Sequence, residues 1–344
     1  MKEFLLKKDR VKDLCLEASG KWETYVPLEH RGGDIQFEKI NSDDKKASLE
    51  RLNLDYESLV IPPKTICFPQ LDSLFKFQDV EISETVSPPA RKLLFGIRAC
   101  DLKGMLFMDD FFKRKFEDIY YLNRSKDRLL VLVGCKQPPR DCFCTSTKTG
   151  PFLESGYDLQ MVDIGDLYFV EVASGKGREF VNDYRKYFEK ASEETSARAK
   201  EAKHAAEKAI SRNVDFEGAV KRFCEDKIPE EIYEPIAERC IYCGGCLYVC
   251  PTCSCFNVFD VQKGDSGRRY RNWDTCVFEG YTREASGHNP RSEKATRTSR
   301  RYEHKLKYDY LTTGMSGCVG CGRCLASCPV NIGIIQIIEE AVKI

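Results

Sequence analysis

Two cysteine runs near the end of the chain share one spacing, Cys240-x2-Cys243-x2-Cys246-x3-Cys250-Pro251 and Cys318-x2-Cys321-x2-Cys324-x3-Cys328-Pro329. Three thiolates on one tight loop reach three corners of a cubane, so each run is suited to a [4Fe-4S] cluster. The fourth cysteine, followed by proline, faces away and ligates the cluster of the other run. On this reading Cys240, Cys243, Cys246 and Cys328 hold one cluster, and Cys318, Cys321, Cys324 and Cys250 hold the second. Zinc and disulfides are the competing uses of so many thiols. Zinc ribbons pair two Cys-x2-Cys steps and have no need of a third cysteine at the same step, or of the proline. Gly244, Gly245, Gly320 and Gly322 would let backbone amides approach the inorganic sulfides, because glycine has no side chain in the way.

A second set of thiols lies in the first half of the chain. Residues 92–97 and 128–134 are apolar runs typical of buried strands, and residues 101–116 between them carry apolar positions at helical steps. Strand, helix, strand in that order predicts a parallel pair, whose ends share the edge where α/β proteins place their sites. Cys100 ends the first strand and Cys135 follows the second, with Cys142 and Cys144 in the loop after it. Those four thiols suffice for a third [4Fe-4S] cluster; zinc and inert buried thiols are the other readings. Arg98 and Arg140 stand near enough in sequence to hold an anion there, which would make an open metal site with bound substrate a rival to simple electron transfer. Cys253, Cys255 and Cys276 follow the first run without an assignment, and Cys15, Cys67 and Cys224 stand alone.

The elements that position these thiols follow from pattern. A short amphipathic helix is expected over residues 7–17, strands over 22–27 and 35–40, an extended piece over 65–68, and a hairpin over 159–172 turning at Gly165-Asp166. Asp101 suits the N-cap or first turn of its helix. After residue 178 Lys, Glu and Ala dominate, which predicts two or three exposed helices bridging two domains. The fold class is therefore α+β. An N-terminal α/β domain (residues 1–177) leads through a charged helical connector (178–232) to a bacterial-type dicluster ferredoxin domain (233–344) with a long insert (256–312). That insert is basic, with Arg268, Arg269, Arg271, Arg297, Arg300, Arg301 and Lys305 among others, and reads either as a docking surface or as a solvated loop.

The 344 residues balance 54 Lys and Arg against 54 Asp and Glu, so no global field points to nucleic acid or membrane. No apolar stretch is long enough to span a bilayer and no signal peptide is visible, so a cytoplasmic protein is expected. In that compartment the 18 cysteines are better read as metal ligands than as disulfides.

Several stretches together resemble the sulfhydrogenase beta subunit family and the A subunit of anaerobic sulfite reductase. They are Phe95-Gly96-Ile97-Arg98-Ala99-Cys100-Asp101, Asp141-Cys142-Phe143-Cys144-Thr145-Ser146, Glu154-Ser155-Gly156-Tyr157-Asp158, Cys250-Pro251-Thr252-Cys253-Ser254-Cys255-Phe256, Trp273-Asp274-Thr275-Cys276, Gly287-His288-Asn289-Pro290-Arg291 and His304-Lys305. The resemblance runs from about Arg31 to Cys328 and is weakest in the charged helices. It implies an electron-carrying subunit working beside a flavin- and NAD(P)-binding subunit, and exchanging electrons with a hydrogenase- or sulfite-reductase-like catalytic subunit. The residues agree with a carrier: closed four-cysteine coordination leaves no open iron, and no Gly-x-Gly-x-x-Gly follows a strand to bind a dinucleotide. A third reading makes the N-terminal domain a docking scaffold, with the ferredoxin unit alone redox-active.

Overall fold

The computed structural model describes residues 2–86 and 88–344. Its strands are β1 (Lys2–Lys7), β2 (Glu23–Glu29), β3 (Ile35–Lys39), β4 (Leu71–Gln78), β5 (Glu81–Glu84), β6 (Lys92–Ile97), β7 (Arg128–Val133), β8 (Leu159–Asp163), β9 (Leu167–Val172), β10 (Phe188–Lys190), β11 (Phe256–Lys263) and β12 (Ser266–Trp273). Eight of them form one sheet in the order β10-β1-β9-β8-β7-β6-β2-β3. Its centre, β2, β6, β7 and β8, is parallel, and both margins are antiparallel. Every residue of β6 and β7 is buried, as expected for parallel strands covered on both faces. Leu93, Phe95, Leu129 and Val131 pack into one core, while Leu94, Ile97, Leu130 and Leu132 pack into another.

Helix Ala99–Phe111 leaves the end of β6 and returns the chain toward β7, which gives the expected parallel pair. The hairpin at Gly165-Asp166 also forms, as β8 and β9. Residues 65–68 differ from the extended piece expected. Pro63–Ile66 is a single 3-10 turn, because Pro63 occupies a first-turn position where its fixed φ and missing N–H cost nothing.

The basic insert is neither loose nor wholly on the surface. Residues 256–273 fold as the hairpin β11–β12, and β12 pairs with β4 in a four-stranded antiparallel sheet, β11-β12-β4-β5. Arg271 is buried there between Asp72, at 2.9 Å, and Asp118, with the rings of Phe68, Phe112 and Phe256 around its guanidinium. Arg297 is buried as well and donates to the carbonyls of Arg291 and Ser292. Part of the basic balance is thus internal wiring.

The charged stretch after residue 178 is also less exposed than its composition suggests. Helix Glu193–Lys208 opens in a capping box between Ser192 and Thr195 and lays Ala199 against Val162 and Phe169. Helix Phe216–Cys224 buries Phe216, Ala219, Val220 and Phe223 against the C-terminal helix Ile334–Ala341. Among the described residues no helix is long and apolar enough to cross a membrane.

Candidate metal centres

The two cysteine runs fold as copies. Each loop ends at a glycine, Gly244 or Gly322, with φ 75° and ψ −10°, from which a single helical turn departs. Two positions earlier each loop again turns left-handed, at Tyr242 in the first run and Gly320 in the second. The residue types differ because the neighbours differ. A Cβ on Gly320 would stand 2.8 Å from the Cys144 Cα and the Phe143 carbonyl oxygen, and one on Gly322 would stand 2.3 Å from the Asp141 oxygen. Residues 141–144 therefore lie directly on the second loop, and the Phe143 amide donates to the Gly320 carbonyl at 2.7 Å. Over the first loop the corresponding cover comes from Thr275 and Phe278 of the insert. Close backbone approach thus accounts for Gly320 and Gly322 before any contact with sulfide is invoked.

Cys318, Cys321, Cys324 and Cys250 line one cavity, together with Cys246, Phe143, Arg301 and Lys305. Cys240 and Cys328 both pack against the core of the C-terminal helix. Burial pushes the Cys246 thiol up to about 11 and Cys318 up to about 12. As free thiols they would be protonated at neutral pH, so thiolate forms there only as metal displaces the proton. Among the described residues no three His, Cys, Asp or Glu side chains close on a single metal-ion position. A cubane puts each thiolate on a different iron, so its donors need not converge on one point.

Charge gives an independent test of fit. The Lys305 ammonium stands 3.3 Å from the Cys250 sulfur and 3.1 Å from both the Thr252 hydroxyl and the Gly317 carbonyl. Arg301, 6% exposed, meets the Tyr302 hydroxyl at 3.3 Å. Lys64, 2% exposed, donates to the Cys253 carbonyl at 2.6 Å and lies over the Trp273 ring. Burial pulls Lys64 down to about 8, against the opposing pull of Cys253 and Cys250. Among the described residues none of these three cations forms an ion pair with a carboxylate, although buried charge is costly unless compensated. A [4Fe-4S] cluster with four thiolates carries net negative charge in both redox states. The residues fit that group: thiolate sulfur supplies, beyond the Asp309 carboxylate that feels Lys305, the negative charge these cations call for.

The N-terminal cysteines come together at the predicted sheet edge. Cys100 sits in the first turn of helix Ala99–Phe111 and Cys135 just past β7, while Cys142 and Cys144 share the loop beyond. A hydrogen bond from Cys144 holds Cys142 below the ordinary thiol value, and Cys144 in turn feels the charge of Cys100 and Cys135. Cys321 of the second run is also among the neighbours of Cys100. The four thiols thus abut the second ferredoxin loop.

Two nearby charged residues have other employment than the sequence suggests. Arg98 is buried and its two terminal nitrogens donate to the carbonyls of Val133, Gly134, Leu54 and Tyr56, while its Nε has no partner among the described residues. Arg140 is exposed. Asp101 does lie in the first turn of its helix, but its carboxylate is fully buried and takes both ends of the Arg323 guanidinium, at 2.5 and 2.7 Å. That bidentate pair joins the N-terminal sheet body to the loop between Cys321 and Cys324. Sequence reading placed Arg301 and Lys305 in the basic insert without a role beside the thiols, and it missed Lys64 and Arg323, of which only Arg323, set inside a cysteine run, carried any signal.

A sheet body carrying a unit with two matched four-cysteine runs defines an iron–sulfur protein of the two-cluster kind. Residues 239–332 match the family model described as a 4Fe-4S dicluster domain. Over 317 residues the chain is 32% identical to Sulfhydrogenase 2 subunit beta of Pyrococcus furiosus, an alignment covering 92% of this chain and 91% of that protein. The chain belongs to the sulfhydrogenase beta subunit family, an α+β iron–sulfur family. No solved structure matches it.

Proposed function

We propose that the chain is the one-electron relay of a cytoplasmic multi-subunit oxidoreductase, set between a flavin- and NAD(P)-binding subunit and a catalytic subunit of hydrogenase or sulfite-reductase type. The observation that carries this reading is the cavity that Cys250 shares with Cys318, Cys321, Cys324 and Cys246, with the Lys305 ammonium 3.3 Å from the Cys250 sulfur. It supports crossed ligation, with Cys240, Cys243, Cys246 and Cys328 holding the first cluster and Cys250 completing the second. When bound, the clusters supply one-electron storage without proton transfer. The chain's own residues would hold the second in a cavity backed by Phe143, while Cys243 leaves the first nearer to solvent, and Lys305 and Arg301 favour the reduced, more negative state. That the relative is a sulfhydrogenase beta subunit agrees with a place inside a complex.

We place a third [4Fe-4S] cluster on Cys100, Cys135, Cys142 and Cys144. Support comes from their convergence at the sheet edge and their approach to Cys321. The rival reading, substrate bound at that edge, is weakened because both terminal nitrogens of Arg98 are taken by backbone carbonyls. Anaerobic iron and acid-labile sulfide per chain, with EPR of the reduced protein, test both assignments. A Cys142→Ser, Cys144→Ser double variant should hold about four irons fewer than wild type. Cys250→Ser should damage the signal of the second-run cluster, and selective loss of the first-run signal would refute crossed ligation.

A further inference from the structure

Three cysteines remain after the eight of the paired runs and the four of the sheet edge, once the isolated Cys15, Cys67 and Cys224 are set aside. Cys253, Cys255 and Cys276 come from two segments and line one cavity, together with His304, Asp309 and Lys305. The thiols of Cys255 and Cys276 are within hydrogen-bond reach of each other, and that of Cys253 reaches Cys250. His304 lies on the helical segment that also carries Lys305, and one of its ring nitrogens stands 3.4 Å from Asp309.

We propose that Cys253, Cys255, Cys276 and His304 hold a further [4Fe-4S] cluster, with Asp309 orienting the histidine. Three independent features converge on it. The first is the donor set, three thiols and an imidazole, all of them established iron–sulfur ligands. The second is the His304–Asp309 contact, the arrangement by which a carboxylate fixes the tautomer of a metal-bound histidine and leaves the other ring nitrogen free for metal. The third is charge: Arg301 and Lys305 line this cavity as well as the neighbouring one, and three thiolates on a cubane supply a second compensating anion.

The local pattern repeats that of the sheet edge. There a Cys-x-Cys pair, Cys142 and Cys144, is completed by two donors from other elements. Here Cys253 and Cys255 form the Cys-x-Cys pair, and Cys276 and His304 complete it. Both sets flank the cavity of the second run, one through Cys321 and the other through Cys250. One electron can enter or leave that central cavity on either side, which makes the second run a branch point rather than an end. The inference goes beyond the relay reading and does not depend on the sheet-edge cluster.

The test uses the full chain purified anaerobically. A Cys255→Ala, Cys276→Ala double variant should lose about four irons and about four sulfides relative to wild type while keeping the EPR signal of the paired ferredoxin clusters. Iron equal to wild type overturns the proposal while leaving the relay intact, and absence of the paired-cluster signal from wild type itself would instead overturn the relay. Should the variant not fold, pulsed EPR of reduced wild type decides. A strongly coupled nitrogen that changes when heavy-nitrogen histidine is incorporated, and disappears in His304→Ala, supports the site. A spectrum without that coupling overturns it.

Discussion

Lys305 offers a direct measure of how strongly the protein sets a cluster potential. Lys305→Met keeps the length of the side chain and removes a charge that stands 3.3 Å from the Cys250 sulfur. An electron added to the second-run cluster spreads over its core, roughly 6 Å from that ammonium, so at an effective dielectric of about 20 the lost attraction is about 3 kcal/mol. For a one-electron couple about 59 mV corresponds to 1.4 kcal/mol, which puts the shift on the order of 100 mV. The sign follows from charge: a cation stabilises the more negative reduced state, so the variant should be harder to reduce and its potential lower. An anaerobic redox titration followed by EPR reads this directly. Lys305→Arg, which keeps the charge, should return most of the shift. An upward shift in Lys305→Met, or one within the error of the titration, would mean that solvent or a rearranged side chain screens the site and that the buried-cation argument is wrong.

Two further perturbations test the contacts that seat the second loop. Arg323→Met leaves the fully buried Asp101 carboxylate without its bidentate partner and should cost about 3–5 kcal/mol, whereas pairing it with Asp101→Leu should recover most of that loss. Urea unfolding followed by circular dichroism measures both, and a double variant as unstable as the sum of the singles would sink the coupling. Gly322→Ala forces a left-handed alanine and a Cβ at 2.3 Å from the Asp141 oxygen, so a loss of about 2–4 kcal/mol is expected. Gly280, whose Cβ would meet nothing within 4 Å, is the control, and equal thermal midpoints for Gly322→Ala and Gly280→Ala would count against the close stacking of the two segments.

What could be read in advance was whatever local chemistry dictates. The matched cysteine spacings stand out because a cubane imposes them, and β6, helix Ala99–Phe111 and β7 because continuous apolar runs and helical steps need no distant partner to be seen. β1 went unread, since Phe4 and Leu6 alternate over too few residues among lysines to stand out. The second sheet was invisible for a deeper reason. β4 becomes a strand by pairing with β12, whose Arg268, Arg269 and Arg271 look like surface, and only the third dimension shows Arg271 lodged between Asp72 and Asp118. Helix Phe216–Cys224 was expected as an exposed helix, because its four buried apolar residues are concealed among lysines and glutamates. The cations beside the thiols were unreadable for the same reason: a lysine that compensates sulfur and a lysine in water are the same letter.

The pairing of β12 with β4 also bears on how the chain is made. Residue 72 waits for residue 271, its partner across the ladder, and at a synthesis rate of about 5–20 residues per second that wait is roughly 10–40 s. Through that interval β4, with Leu74, Phe75 and Phe77, has only the short β5 beside it and presents an open hydrogen-bonding edge, the kind of surface on which chains join one another. The cysteine donors are completed later still, with Cys328 made after residue 271. Nascent chains should therefore be most vulnerable to aggregation before iron can help them, and an expression host short of chaperones should fail with this protein before one short of iron does.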